Sequence, residues 1–284
     1  MTNDSILSHS GKQMRPMLSL IVARACSQGS PACDATVRYA AASELLHNAT
    51  LLHDDVMDKA EVRRGRPTVH IQWNENTAIL SGDQMMIEAY KLLAEAPADK
   101  LHKVLRLFNE MATEICEGQQ YDVDFESQEH VTIEEYLKMI RLKTSVLLAT
   151  ALQIGSYLAG ANEAQQEALY QFGINVGLAF QIQDDILDVW GDPKTFGKAV
   201  GGDISCNKKT YVYLTAQQLA DAELAEELHQ WYGSVLDDNT EKIAAVKGIF
   251  EQLNVRAACE AVVEDYTQKA LLIWLLKNWT KRMV

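Results

Sequence analysis

Two clusters of aspartates with the same spacing occur in this sequence, and the first comprises Asp54, Asp55 and Asp58. They end an apolar segment that begins near Val37. At about 100° per residue of α-helix, Asp54 and Asp58 share one face and Asp55 lies beside them. Crowded carboxylates suit Mg²⁺, which is often shared between one or two carboxylates and a substrate phosphate. An acidic helix end without a metal is the alternative interpretation.

The second cluster, Asp184, Asp185 and Asp188, stands at the end of another long apolar segment. A single Asp-Asp-x-x-Asp string is a weak signal, because short motifs occur readily by chance. Two copies at equivalent helix ends favour a functional pair. We expect the two helices to face each other across a cavity and to bind a diphosphate through several Mg²⁺ ions.

Basic residues follow both acidic clusters. Arg63, Arg64 and Arg66 lie in a turn after the first, and Lys198, Lys208 and Lys209 follow the second. Each alone could be a solvated surface charge. In a chain of formal net charge −13, however, this placement indicates local binding of an anion such as a diphosphate.

The elements that position these residues are predicted to be long helices. Apolar residues recur at three- and four-residue spacing through Val37 to Met57, Ala78 to Ala94, Leu101 to Cys116, Ile133 to Leu158 and Ala164 to Val189. The five prolines fall between these segments or at their edges, and no segment alternates as a strand does. The sequence therefore predicts an all-α fold with one domain over residues 1–284.

Composition excludes several other classes of protein. The acidic balance disfavours a nucleic-acid binder, and the longest apolar run near the C-terminus, Ala270 to Leu276, is too short for a transmembrane segment. Five cysteines without paired spacing and no recognisable signal peptide indicate reduced thiols and a cytoplasmic protein.

These motifs resemble those of the trans-type isoprenyl diphosphate synthases, also called polyprenyl synthetases. The resemblance covers nearly the whole chain and rests on Gly11-Lys12-Gln13-Met14-Arg15-Pro16, Glu44-Leu45-Leu46-His47, Asp54 to Asp58 with Arg63-Arg64-Gly65, Lys143-Thr144, and Phe180 to Asp188. It implies the isoprenoid synthase type I fold, a single-domain bundle of long helices around a central cavity. It also implies a homodimer.

The resemblance further implies prenyl chain elongation. An allylic diphosphate ionises, the double bond of isopentenyl diphosphate attacks the cation, and pyrophosphate leaves. By position, Asp54, Asp58 and Asp184 would hold Mg²⁺, three ions per active site, and Asp55, Asp185 and Asp188 would support these ions directly or through metal-bound water. Isopentenyl diphosphate would be bound by Lys12, Arg15, His47 and Arg64, and the allylic diphosphate by Arg63, Lys143, Lys198 and Lys208. Among the catalytic residues Lys143, Thr144, Gln181 and Lys198, the Lys143 carbonyl, the Thr144 hydroxyl and the Gln181 amide would face the carbocation.

Product length is predicted from residues before the first aspartate cluster. Family members with short products resemble one another in carrying an aromatic residue four or five positions before it, where this chain has Thr50 and Ala49. Small side chains there leave room for a longer prenyl tail. We expect a product longer than farnesyl diphosphate, from geranylgeranyl to octaprenyl, with Met85, Met86 or Leu148 as the floor of the pocket.

Other interpretations stay open at this point. A class I terpene cyclase would share the helical cavity but would use no second diphosphate, and a noncatalytic subunit would bind prenyl diphosphates without turnover. Tyr121, Asp122 and Glu126 could line the cavity or cap a helix. Because Lys12 stands almost at the start, we expect one or two N-terminal helices of the relatives to be missing here.

Overall fold

The structure is a computed structural model that describes residues 11, 13–27, 30–192, 200–234, 236 and 238–276. Two residues with predicted roles, Lys12 and Lys198, lie outside this range.

Helices make up most of the described chain, which confirms the all-α prediction. They are α1 (Met14–Cys26), α2 (Asp34–Met57), α3 (Val69–Gln72), α4 (Glu75–Ala94), α5 (Ala98–Ser127), α6 (Ile133–Ile140), α7 (Val146–Leu158), α8 (Glu163–Trp190), α9 (Gly202–Ser205), α10 (Tyr211–Leu219), α11 (Ala222–Gly233), α12 (Thr240–Gln252) and α13 (Val255–Leu276).

Local side chains explain where several helices begin. The Asn74 side chain accepts a hydrogen bond from the Thr77 amide at the start of α4, and Thr132 and Glu135 form a reciprocal capping box at the start of α6. Helix α5 continues to Ser127, beyond the predicted end at Cys116.

A small β-hairpin lies where the sequence showed no strand. Strands β1 (Val62–Arg63) and β2 (Arg66–Pro67) pair antiparallel, and two residues are too few for an alternating pattern to be visible. The turn residues Arg64 and Gly65 both have positive φ, 53° and 73°. Positive φ at both residues is typical of the type I′ turn, which joins two strands through a two-residue loop and matches their right-handed twist.

The predicted helix from Ile133 to Leu158 is interrupted by a π-helical segment, Arg141–Ser145. Two helical glycines, Gly118 and Gly177, allow the backbones of their helices to approach this π-helical segment closely. A Cβ on Gly118 would collide with the backbone of Lys143, and one on Gly177 would lie 2.6 Å from the Cα of Ser145. The π segment therefore packs directly against the backbones of α5 and α8.

Contacts divide the chain into two compact units. As far as their residues are described, the first contains Met1–Thr113, Leu147–Gly173 and Leu272–Val284, and the second contains Glu114–Val146 and Ile174–Leu271. The first holds an apolar cluster of Ala49, Leu52, Val69, Ala78 and Met85. The second holds the stacked rings of Tyr213 and Tyr232. The single domain expected from the sequence stays a prediction.

No helix within the described ranges is long and apolar enough to cross a membrane.

Candidate active site

The first aspartate cluster is tied to the β-hairpin through Arg63. The Arg63 guanidinium donates to the Asp55 carboxylate at 2.5 Å and to the Asp54 carboxylate at 3.3 Å. The Asp55 side chain is 6% exposed, and its burial raises its pKa while Arg63 opposes the rise. The Asp54 side chain is 16% exposed and Asp58 is exposed at the end of α2. Asp54 and Asp58 are thus the more accessible donors.

A cationic cluster lies in the same unit, formed by Arg15, His47 and Arg64. Arg15 is partly buried, and its Nε atom is buried without a hydrogen-bond partner in the described part of the chain. Burial lowers the pKa of Arg15, Glu44 raises it, and Arg64 lowers it. The backbone of Gly11 lies against the Arg64 guanidinium, since a Cβ there would be 3.0 Å from Nη2. The N-terminal motif and the hairpin therefore meet.

His47 is neutral in this cluster. Its burial, followed by the charges of Arg15, Arg64 and Arg63, lowers the pKa of its imidazole to about 2. A neutral imidazole beside guanidinium groups can donate a hydrogen bond to an anion without adding charge repulsion. The cluster can therefore bind a phosphate group with little reorganisation.

The second aspartate cluster is anchored through Asp185. The buried Asp185 Oδ2 accepts hydrogen bonds from the Tyr136 hydroxyl at 2.6 Å and from the Tyr211 amide at 3.0 Å. Burial and then the nearby charge of Asp203 raise the pKa of Asp185 to about 8. The Asp188 Oδ2 accepts from the Asp203 amide at 3.0 Å. Both carboxylates thus bind the backbone that follows α8.

The π segment presents the predicted Lys143 and Thr144. The Thr144 hydroxyl donates to Gln181 Oε1 at 3.2 Å, which brings these two predicted residues together. The Lys143 ammonium lies 2.5 Å from the Asp122 carboxylate, and both side chains are 24% exposed. A π segment turns a residue's carbonyl and side chain away from their regular helical direction, and such segments are common at functional sites.

The residues assigned to product length lie at different depths. Ala49 is fully buried in the apolar cluster that includes Met85. Thr50 is partly buried, and its hydroxyl donates to the His47 carbonyl at 2.9 Å. Met86 packs against the same cluster, and Leu148 is partly buried. Ala49 therefore faces the cluster containing Met85 and Met86, two of the expected floor residues.

The remaining predicted residues are placed as follows. Asp184 is partly buried on α8 and Lys208 is exposed after α9. Among the residues that the structure describes, no group of three or more His, Cys, Asp or Glu side chains is arranged to hold a metal ion. Mg²⁺ needs no such cage, because it keeps several waters and takes substrate phosphates as ligands. The oxygen donors of both clusters fit that mode of binding.

Several residues of this site were missed or left undecided in the sequence. Asp122 is the partner of Lys143, whereas Tyr136, Tyr211 and Asp203 hold the second aspartate cluster. The Asn48 side chain donates to Glu44 at 3.2 Å, and Glu44 acts electrostatically on Arg15. Of these, only Glu44 belonged to a motif that carried the family resemblance, and only Asp122 had been named as an undecided residue.

The chain is similar to known proteins in sequence and in fold. The sequence pattern of the Polyprenyl synthetase family matches residues 2–253. The chain is 40% identical over 230 residues to a short chain isoprenyl diphosphate synthase from Methanocaldococcus jannaschii, covering 81% of this chain and 69% of the relative.

Solved structures show the same similarity. A geranylgeranyl pyrophosphate synthase is 47% identical with a TM-score of 0.90, over 96% of this chain and 83% of that chain. A geranylgeranyl pyrophosphate synthase from Corynebacterium glutamicum, complexed with isoprenyl diphosphate and magnesium, is 27% identical with a TM-score of 0.87, over 96% of this chain and 83% of that chain. The all-α fold, the two aspartate motifs and the adjacent arginines place the chain in a class of helical proteins whose side chains can bind Mg²⁺ and phosphate groups. Within that class, the chain belongs to the polyprenyl synthetase family.

Proposed function

We propose that this protein is a Mg²⁺-dependent prenyltransferase that joins isopentenyl diphosphate to an allylic prenyl diphosphate, giving a longer all-trans polyprenyl diphosphate and pyrophosphate. The observation that carries this proposal is the cluster of Arg15, His47 and Arg64, whose buried Arg15 Nε has no hydrogen-bond partner among the described residues. A cyclase with one diphosphate substrate has no use for a second cationic site beside its aspartates. A two-substrate enzyme needs one.

In this proposal the isopentenyl diphosphate binds to the cationic cluster without a metal. Arg15 and Arg64 supply charge, His47 donates a hydrogen bond, and Lys12 joins them by its place in the motif. A diphosphate would satisfy the Arg15 Nε and relieve the repulsion between Arg15 and Arg64.

The allylic diphosphate is assigned to the aspartate clusters. Asp54, Asp58 and Asp184 would hold Mg²⁺, three ions per site, and Asp55, Asp185 and Asp188 would support the ions directly or through metal-bound water. Bound Mg²⁺ supplies the positive charge that makes pyrophosphate a good leaving group. Arg63, Lys143, Lys198 and Lys208 would neutralise the remaining charge.

The π segment is assigned to the developing carbocation. The Lys143 carbonyl, the Thr144 hydroxyl and the Gln181 amide are oriented dipoles that stabilise positive charge without forming a covalent bond. The departing pyrophosphate accepts the final proton, so no protein base is required. The isopentenyl double bond attacks the cation, so no protein nucleophile is required either.

Product length, assembly and location complete the proposal. Ala49 and Thr50 leave room for a product from geranylgeranyl to octaprenyl diphosphate. A homodimer would cover apolar residues on α4, where Leu80 is 67% and Ile87 is 57% exposed. The unpaired cysteines are consistent with a cytoplasmic enzyme.

The test is incubation of the purified chain with Mg²⁺, labelled isopentenyl diphosphate and allylic primers of several lengths. We expect labelled polyprenyl diphosphates and one pyrophosphate for each isopentenyl diphosphate incorporated, and loss of both in Asp54→Asn and Asp184→Asn. Asp99→Asn, an exposed change at the start of α5, is the control. Cyclic hydrocarbon without incorporated label would favour the cyclase, and binding without turnover would favour a noncatalytic subunit.

A further inference from the structure

A fully buried lysine on α12 has no role in the proposed reaction. Lys242 is 0% exposed, and its ammonium donates to the Asn207 side-chain oxygen at 2.5 Å and to the Ser234 carbonyl at 3.0 Å. Both of these acceptors, within the described part of the chain, are neutral oxygens. Burying an ammonium group is costly, and an apolar side chain would fill the same space more cheaply if packing were its only purpose.

The acceptor Asn207 has a backbone conformation that few residues adopt. Its φ is 56°, in the left-handed region that disfavours most side chains and that asparagine tolerates better than most. The hydrogen bond from Lys242 therefore holds Asn207 in a conformation that its backbone alone would favour weakly.

This turn connects two parts of the second aspartate site. The amide of Lys208, the next residue, donates to the Asp203 carbonyl at 2.9 Å, and the Asp203 amide donates to Asp188 at 3.0 Å. A shift at Asn207 would thus move both the Lys208 side chain and the donor that fixes Asp188.

Helix α12 also supports the start of this segment. Gly201 has φ 86°, and a Cβ there would lie 2.8 Å from the Ile243 side chain, the neighbour of Lys242. The segment from Gly201 to Lys208 is therefore backed by two consecutive residues of α12. Lys242 makes the polar contact and Ile243 the apolar one.

We propose that Lys242 is a positioning residue for prenyl transfer: through Asn207 it fixes the turn that carries Lys208 and the Asp203 amide, and so sets the geometry of the allylic diphosphate site. This inference rests on the proposed function. It adds Lys242 and Asn207 to the residues on which that function depends, although neither is assigned to substrate or metal.

The test compares Lys242→Met with Lys247→Met, a change on the same helix at a partly exposed lysine. We expect Lys242→Met to raise the KM for the allylic diphosphate by about tenfold. This is the effect expected if the displaced turn loses one hydrogen bond to the charged diphosphate. The KM for isopentenyl diphosphate should change by less than about twofold, and Lys247→Met should change neither. Asn207→Asp keeps an acceptor in place and should behave like the wild type, whereas Asn207→Ala removes it, lacks the ease with which glycine adopts a φ near 56°, and should resemble Lys242→Met.

Two measurements without turnover separate this inference from the proposed function. Amide hydrogen exchange of residues 200–210 should accelerate in Lys242→Met and in Asn207→Ala, and Mg²⁺-dependent binding of inorganic pyrophosphate should weaken. If the wild type transfers no prenyl group but these changes occur, the positioning role stands and the function fails. Equal KM values, exchange and pyrophosphate binding in the wild type and Asn207→Ala would overturn the inference, even if Lys242→Met failed to fold.

Discussion

Replacing Gly177 by alanine tests the importance of the π segment. The new Cβ would lie 2.6 Å from the Cα, Cβ and Oγ of Ser145, and the positions of the first two atoms are fixed by the backbone. No flexible side-chain end can move aside, so the backbone of the π segment or of α8 must shift by about 1 Å to restore van der Waals contact.

Stability and activity should respond differently to this shift. Overpacking costs about 1–3 kcal/mol, and the better helix propensity of alanine offsets about 1 kcal/mol of that cost. The net loss of unfolding free energy is therefore about 0–2 kcal/mol. Thr144 adjoins Ser145, and its hydrogen bond to Gln181 is 3.2 Å long, so a 1 Å displacement breaks it. A misplacement of that size lowers turnover by about a hundredfold.

The assay is steady-state prenyl transfer combined with urea unfolding. Gly248→Ala is the matched control, because Gly248 lies within α12 and a Cβ there would meet no atom within 4 Å. That control should gain about 0.5–1 kcal/mol and keep its activity. Wild-type turnover in a folded Gly177→Ala protein would refute the argument that π-segment geometry controls the reaction.

Three further predictions concern the first unit. The pKa of His47 is lowered to about 2 from an unfolded value near 6.5, so its contribution to the free energy of unfolding is complete above pH 6.5 and falls at lower pH by up to about 1.4 kcal/mol per pH unit. His47→Gln should remove this pH dependence, measured by urea unfolding at pH 5.5 and 7.5. The same pH dependence in the variant and the wild type would contradict the prediction. Arg63→Met should raise the Mg²⁺ concentration needed for half-maximal activity, because Asp54 and Asp55 lose the hydrogen-bond donor that they share. An unchanged Mg²⁺ titration would show that Arg63 does not position these two carboxylates for the metal. Ala49→Tyr should shorten the product, and it should lower the free energy of unfolding by about 1–3 kcal/mol because Ala49 is fully buried. If chromatography finds the same products from a folded variant, Ala49 does not determine product length.

Helix positions were the part of the fold that sequence periodicity predicted well. Helix α2 begins three residues before the predicted Val37 and ends at the predicted Met57. The π segment was not foreseen, because one extra residue in a turn leaves the apolar pattern of Ile133 to Leu158 almost unchanged. Its only sequence signals are glycines inside two distant helices, and glycine in a helix has several possible causes.

Contacts between distant residues explain what was missed in the site. The aspartates and arginines were visible because their charge and spacing are local features of the sequence. The contact between Asp122 and Lys143, and that between Lys242 and Asn207, join residues 21 and 35 positions apart. Such pairs depend on how the helices pack, and the sequence alone does not distinguish a buried lysine from a solvated one.

The concentration of positive charge around Arg15 and Arg64 has a practical consequence for solution work. These guanidinium groups repel each other when no anion lies between them, so an anion that binds only the folded chain raises its melting temperature. The melting temperature measured in phosphate or sulfate buffer should therefore be higher than the melting temperature measured in chloride. The same ions would compete with isopentenyl diphosphate, and its KM measured in such buffers would be inflated.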